Sequence, residues 1–250
     1  MRKTDWRNVA LALLLGAGFP LGFAPYAWWP LSLLSAGGLF LLIHGAQHRL
    51  LLLAWVYGVG KYLSGASWIY VSIYQYGNAS MLLAGFLVGL FVVGLALFML
   101  PVGWAMQRFR MATPWVNAVI FCCAWSLMEW SLTWLLTGFP WLFVGYSLVD
   151  SLFVELLPVW GALGTGFWAL VCTLGGVLCV RAAWQRLPIA RGPAVMAGLP
   201  LLMVLLGLPW QWVTSSAQHS VAIVQGNVDQ AVKWDDDQRQ IIVDRYLALS

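Results

Sequence analysis

The chain has 250 residues, 13 of them basic and 9 acidic, so that 9% are charged where an ordinary soluble domain carries about 25%. Hydrophobic residues make up 62% and the mean hydropathy is +0.81, more apolar surface than one globular core of this size hides. A soluble domain and a disordered chain are excluded, and an all-α polytopic membrane bundle is expected, a reading to which the 17 Trp add through their preference for the membrane–water interface.

The N-terminus is short and basic, with Arg2, Lys3 and Arg7, and an apolar run from Val9 to Ala24 follows. That pattern also fits a secretory signal, but more long apolar runs come after it, so it reads as the first of several spans. A span needs about 20 residues at 1.5 Å rise. Seven segments qualify, at roughly 9–25, 30–46, 51–72, 80–106, 115–136, 157–181 and 194–213. They define a transmembrane domain over 1–213.

Orientation follows from the loops. With seven spans, the side that holds the N-terminus carries Arg2, Lys3, Arg7, Arg49, Arg108, Arg110, Arg181, Arg186 and Arg191, while the loops of the other side carry no Lys or Arg. The positive-inside rule places the N-terminus in the cytoplasm and everything after about Val213 outside.

Aromatic residues gather in the outer loops, in Phe19–Pro30, Trp68–Tyr76 and Thr137–Tyr146. An interfacial anchoring belt accounts for each cluster taken alone. Three Gly/Pro-broken aromatic loops on one side also fit a lipid-accessible pocket opening outward, because irregular backbone at membrane depth survives only where protein or a cavity covers it.

Two ionisable residues fall within spans, Lys61 in the third and Glu129 in the fifth. An intramembrane charge is costly and is a functional candidate for that reason. Lys61 and the Thr133 hydroxyl are the two candidate partners of Glu129. Cys122, Cys123, Cys172 and Cys179 lie in apolar runs without metal-site spacing and read as small buried hydrophobes. His44, His48 and His219 are dispersed, and no metal site or cofactor is expected. The Gly-rich stretch Gly161–Gly166 lacks a following Lys and sits in a span, so close helix packing explains it better than phosphate binding. Basic residues scattered singly give no nucleic-acid stripe.

After Val213 the character changes. Residues 214–219 read as a polar linker, Ser220–Gly226 as one β-branched strand, and 235–250 as a helix. Asp235–Asp237 suit the start of that helix. Ile241, Ile242, Tyr246 and Leu249 form its apolar stripe. One strand and one amphipathic helix cannot make a core. Residues 220–250 are therefore expected to be the incomplete start of a second domain, and the chain an N-terminal portion of something longer.

The residues also carry a resemblance. Val221–Gln230 with Lys233-Trp-Asp235 resembles the opening of the periplasmic domain of apolipoprotein N-acyltransferases. The membrane part is similar too, in Phe23-Ala-Pro-Tyr26, Ser67–Ile73, Leu136–Leu142 and Gly145-Tyr-Ser147, and Glu129 stands where the family has a Glu before that last motif. The resemblance implies a bacterial inner-membrane enzyme with a nitrilase-like α/β domain. It implies transfer of an acyl chain from a phospholipid to the α-amino group of the diacylglyceryl-cysteine of a lipoprotein. The phospholipid donor, the diacylated lipoprotein acceptor and membrane lipid are then the partners, and a monomer is favoured. The family's route is a thioester acyl-enzyme with a Glu, Lys and Cys triad.

On this resemblance the triad falls beyond Ser250, no catalytic residue is expected in the chain, and the 250 residues alone are expected to be inactive. Trp234 matches a Trp at the domain entrance and is the candidate for lining the lipid site. Phe139, Pro140, Trp141 and Tyr146 match the outer loop motif, and Glu129 joins them as a substrate-binding candidate. Two positions depart from the pattern: Lys61 stands where an apolar residue is expected, and Leu132 where an Arg is expected three residues after the Glu. The alternatives are a non-catalytic membrane module that binds lipid or lipoprotein and, more weakly, a small transporter, for which no inverted repeat of broken spans is visible.

Overall fold

Each of the seven apolar segments contains a helix in the computed structural model, which describes residues 6–207, 216–217, 219–229, 233 and 236–249. Helices α1 (Trp6–Gly18), α2 (Trp29–Gly45) and α3 (Leu50–Gly65) are followed by α4 (Met81–Arg108), α5 (Pro114–Ser131), α6 (Leu157–Trp184) and α7 (Arg191–Gly207). A last helix, α8 (Arg239–Leu249), lies in the polar tail. Helix α4 and the stretch Leu152–Trp184, which joins α6 to the turn before it, are long and apolar enough to cross a membrane. Helices α2, α3 and α7 are shorter apolar helices.

Sequence marks the boundaries. Proline sits in the first turn of α2, α5 and α6, where its missing N–H costs nothing. The Ser80 hydroxyl caps α4 by accepting the Leu83 N–H at 3.3 Å. Within α4, Pro101 removes a helical donor, and the backbone tightens to a 3-10 turn just before it, at Leu97–Met99.

Close approach of α1 and α3 depends on two glycines. A Cβ on Gly16 would lie 2.0 Å from the Tyr57 carbonyl oxygen, and one on Gly60 would lie 2.2 Å from that of Leu13. Small residues at such positions let helix backbones touch where apolar side chains find no advantage over lipid. Around this pair sits an aromatic core in which Phe19, Phe40, Tyr57, Phe121 and Trp125 are fully buried. Phe121 packs 5.6 Å from both Phe40 and Trp125, ring centre to ring centre.

Three segments end earlier than expected. The first helix stops at Gly18 and gives way to a 3-10 turn at Phe19–Gly22, where Pro20 follows. The third stops at Gly65, and the chain then makes a short helical piece at Ile69–Val71 and a wide π turn at Ser72–Tyr76. The fifth stops at Ser131 instead of 136: the Thr133 and Trp134 N–H groups turn to the carbonyls three residues back, those of Trp130 and Ser131, and Leu136, Thr137 and Gly138 then adopt positive φ.

The tail needs a correction. The described residues contain no strand, and the stretch 220–226 expected as one pairs with no neighbour. A strand exists only through a ladder, and no ladder is formed among these residues. The helix expected over 235–250 is found as α8, preceded by a 3-10 turn at Asp236–Gln238. Its apolar stripe is uncovered: Ile241 is 59% and Leu249 53% exposed. Of the four cysteines, Cys122 is buried as expected, whereas Cys123 is exposed on the outer face of α5.

Candidate functional site

The helix connections meet at two ends of the bundle. At one end the turns after α2, α4 and α6 come together: the Arg110 guanidinium donates to the carbonyl oxygens of His44 and Ala46, across more than sixty residues of chain. The connections after α1, α3 and α5 meet at the opposite end, and these carry the three aromatic clusters.

A cleft of about 660 Å3 opens there. Pro20, Phe23 and Tyr26 line it from the first cluster, Trp68 from the second, and Trp141 and Tyr146 from the third. The walls are locked to one another. The Trp141 indole N–H donates to the Gly65 carbonyl at 2.9 Å, and the Trp141 ring lies 5.5 Å from that of Trp68. Tyr146 stacks on buried Phe143, with ring centres 5.3 Å apart and planes 13° from parallel. Leu136, Thr137 and Leu142 have φ of 54°, 72° and 59°, a left-handed backbone that costs a non-glycine residue roughly 1–2 kcal/mol. Such outliers persist only where the surroundings over-determine them, and they cluster at functional sites.

Glu129 is part of what holds this loop. It is buried at 1% exposure near the end of α5. One carboxylate oxygen accepts the Trp125 indole N–H at 2.9 Å and the Val144 backbone N–H at 2.8 Å. The second bond spans the irregular connection and fixes the 142–146 turn against α5. On its other side the turn lies against α6: a Cβ on Gly145 would fall 2.0 Å from the Ala162 carbonyl oxygen, and Gly166 faces the backbone of Gly145. Of the glycines in 161–166, Gly166 serves close packing, whereas Gly161 has open space around it and, at φ 61°, breaks the first turn from the rest of α6.

Neither expected partner of Glu129 forms a hydrogen bond with it. Thr133 donates to the Trp130 carbonyl at 2.7 Å instead, since α5 has ended by that point. The Lys61 ammonium is fully buried, finds no hydrogen-bond partner among the described residues, and lies over aromatic faces, 4.5 Å from the Phe19 ring centre and 5.3 Å from that of Trp125. It acts on Glu129 through space, cation to carboxylate, while the rings supply its nearest negative density. Leu132, at the position expected to hold Arg, is buried; its N–H donates to the Met128 carbonyl at 3.2 Å and its carbonyl accepts the Phe139 N–H at 2.8 Å.

The structure therefore brings Trp141 and Tyr146 together in one cleft with Glu129 behind the turn that carries them. Phe139 faces a neighbouring groove of about 430 Å3, where its ring meets Phe91 edge-on at 5.1 Å. Pro140 is exposed between the two and lines neither. Trp234 lies outside the described residues. Trp125 was missed by the sequence reading. Its signal was its place one helical turn before Glu129, as an indole N–H donor aligned with a buried carboxylate.

Large apolar side chains cover the outside of the bundle: on α4 alone, Leu82 is 86% and Phe86 67% exposed. Patches of this extent mark surfaces that meet lipid or protein. The fold is a helical bundle compatible with a membrane region, two of its helices being long and apolar enough to cross one. A family model described as the apolipoprotein N-acyltransferase N-terminal domain matches residues 15–175. The apolipoprotein N-acyltransferase of Azotobacter vinelandii is 38% identical over 259 residues, covering 99% of this chain and 49% of its own length. That of Pseudomonas aeruginosa is 38% identical over 261 residues with the same coverage, and that of Vibrio cholerae 34% identical over 248 residues, or 96% of this chain. The chain belongs to the apolipoprotein N-acyltransferase family, and it spans about half the length of the curated relatives it matches.

Proposed function

We propose that these 250 residues form the lipid-holding membrane portion of an enzyme that transfers an acyl chain from a phospholipid to the N-terminal diacylglyceryl-cysteine of lipoproteins. The observation that carries the reading is the single cleft into which three separate aromatic connections converge. A cavity of about 660 Å3 with aromatic walls has the size and character of a small-molecule or acyl-chain site. Trp141 and Tyr146 would pack against the lipid, Phe139 and Pro140 would form its rim toward the neighbouring groove, and Glu129 would keep the wall in place. Trp234 is assigned to the entrance of the same site on the family resemblance.

The same reading puts all seven apolar helices across a bacterial inner membrane. Its support is the grouping of Arg49, Arg108, Arg110, Arg181, Arg186 and Arg191 in connections at the end opposite the cleft. The N-terminus is then cytoplasmic, and the cleft and the tail face the periplasm. On the resemblance the triad lies beyond Ser250, so the proposal assigns thioester chemistry to none of these residues.

A chimera tests it. The 250 residues replace the corresponding half of the Azotobacter vinelandii relative, in a strain depleted of its own apolipoprotein N-acyltransferase. Growth should return with the chimera, fail with residues 1–250 alone, and fail when Trp141→Ala and Tyr146→Ala are combined in a chimera still present in the membrane. Rescue by residues 1–250 alone would overturn the inactivity, and undiminished rescue by the double variant would overturn the role of the cleft.

A further inference from the structure

A second cavity, of about 330 Å3, lies at the end of the bundle opposite the cleft. Four elements build it: the last turn of α2 gives His44, the start of α5 gives Thr113–Trp115, the end of α6 gives Arg181 and Gln185, and the connection to α7 gives Leu187–Ala190. We propose that this cavity is a binding site for an anionic phospholipid of the cytoplasmic leaflet, separate from the acyl-donor cleft. The leaflet assignment rests on the membrane placement proposed above.

Three independent features give the cavity a positive field. The Arg181 guanidinium on α6 makes no hydrogen bond or ion pair among the described residues. The first turn of α5 lines the cavity with Thr113–Trp115, and the Thr113 side chain does not cap the helix. An uncapped helix N-terminus attracts a phosphate through its backbone donors and the helix dipole. Arg110 stands close by, bound to the carbonyls that end α2, so the negative end of that helix is already neutralised. The His44 Nδ1 is buried without a hydrogen-bond partner among the described residues at the same place, and its ring is braced by stacking on Phe40 at 5.4 Å. Among the described residues no carboxylate lines the cavity to oppose an anion.

Apolar walls next to this charge select a lipid over free phosphate. Trp115, Leu187 and Ile189 line the same cavity and are 38%, 57% and 53% exposed. A phosphodiester head group would sit between Arg181 and the α5 terminus, with its chains along these side chains. Basic pockets between helix ends on the cytoplasmic side are suited to anionic head groups, and single Arg or Lys residues near the surface contribute about five-fold in binding.

The test uses the purified 250-residue chain in detergent, stripped of lipid and then given phosphatidylglycerol or phosphatidylcholine of identical chains. Native mass spectrometry counts the lipids retained. The expected result is an excess of phosphatidylglycerol that Arg181→Gln lowers about five-fold and that Arg245→Gln, which removes a charge from the tail, leaves unchanged. Gln185→Glu, which places an acid in the cavity, should lower it as well. Equal retention of the two lipids, or equal losses in Arg181→Gln and Arg245→Gln, would overturn the site. Sidedness is read separately by Gln185→Cys in spheroplasts with a membrane-impermeant maleimide. No labelling beyond the wild-type background is expected, and labelling beyond it would overturn the leaflet assignment together with the membrane placement, whatever the lipid counts.

Discussion

Glu129 accepts the backbone N–H of Val144 at 2.8 Å, and with that bond a buried carboxylate on α5 sets the position of the loop that carries Trp141 and Tyr146. The same oxygen takes the Trp125 indole, and the only nearby cation, Lys61 among the described residues, reaches it through space. Carboxylate and ammonium are both buried, so each is tolerable mainly because the other is present.

Removing one partner should therefore cost more than removing both. Glu129→Leu leaves the Val144 and Trp125 donors unpaired and the Lys61 charge uncompensated, a loss of about 3–5 kcal/mol by analogy with other broken buried pairs. Glu129→Gln keeps an acceptor and loses only the charge, so it should be milder. Adding Lys61→Met to Glu129→Gln should recover part of that loss. Thermal unfolding in detergent reads all four proteins. A double variant no more stable than Glu129→Gln would show that the two charges are not coupled.

This couple also shows what sequence can and cannot reveal. The seven helical segments were legible because apolar runs of that length have few other fates, and the aromatic clusters because alternate connections return to the same end of a bundle. The partners of Glu129 were not legible. Its backbone bond crosses an irregular stretch whose path depends on positive φ at Leu136, Thr137 and Leu142, and residue types there give no warning of it. Thr133 failed as a partner for a related reason, since helical spacing was assumed two residues beyond the last helical residue, Ser131. Phe139 and Trp141 are neighbours in the motif yet serve different grooves, because the backbone turns between them. The strand at 220–226 was read from β-branched residues, a pattern that specifies a strand only when a partner strand exists.

The α1–α3 seam offers a sharper test. Gly60→Ala places a methyl group 2.2 Å from the Leu13 carbonyl oxygen, and the helices must separate to admit it. Overpacking of this kind costs about 1–3 kcal/mol. Gly85→Ala on α4 meets nothing within 4 Å, and there the better helix propensity of Ala should stabilise by up to about 1 kcal/mol. Opposite shifts of the unfolding midpoint in the two variants are expected. Equal and small shifts would mean that the seam is looser than the 2.2 Å approach indicates.

Trp141 separates hydrogen bonding from ring packing in the cleft. Trp141→Phe removes the donor to the Gly65 carbonyl and keeps a ring against Trp68, at a cost of about 0.5–1.5 kcal/mol. Trp141→Ala also removes the contacts with Trp68 and Phe139 and widens the cleft. Phospholipid retained by the purified chain should fall slightly in the first variant and strongly in the second. Equal falls would assign the effect to the Gly65 bond alone, and no fall in either would detach Trp141 from lipid binding.

Arg110 ties the far end of the bundle, and its geometry distinguishes Arg from Lys. The two guanidinium nitrogens engage two different carbonyls at the C-terminal end of α2, those of His44 in its last turn and of Ala46 just after it. A planar fork can hold both at once, whereas an ammonium on a flexible stem holds one at a time. Arg110→Met should lose both bonds, each worth about 1.5–3 kcal/mol when one partner is charged, and Arg110→Lys should restore less than half of the loss. The local readout is hydrogen exchange at Ala46, whose N–H closes the helix onto the Leu42 carbonyl at 3.0 Å. Exchange there should quicken in the order wild type, Arg110→Lys, Arg110→Met, while amides of the α1–α3 seam keep their protection. Uniform quickening across the chain would instead mark Arg110 as a determinant of global stability, and an unchanged rate at Ala46 would remove its role as the cap of α2.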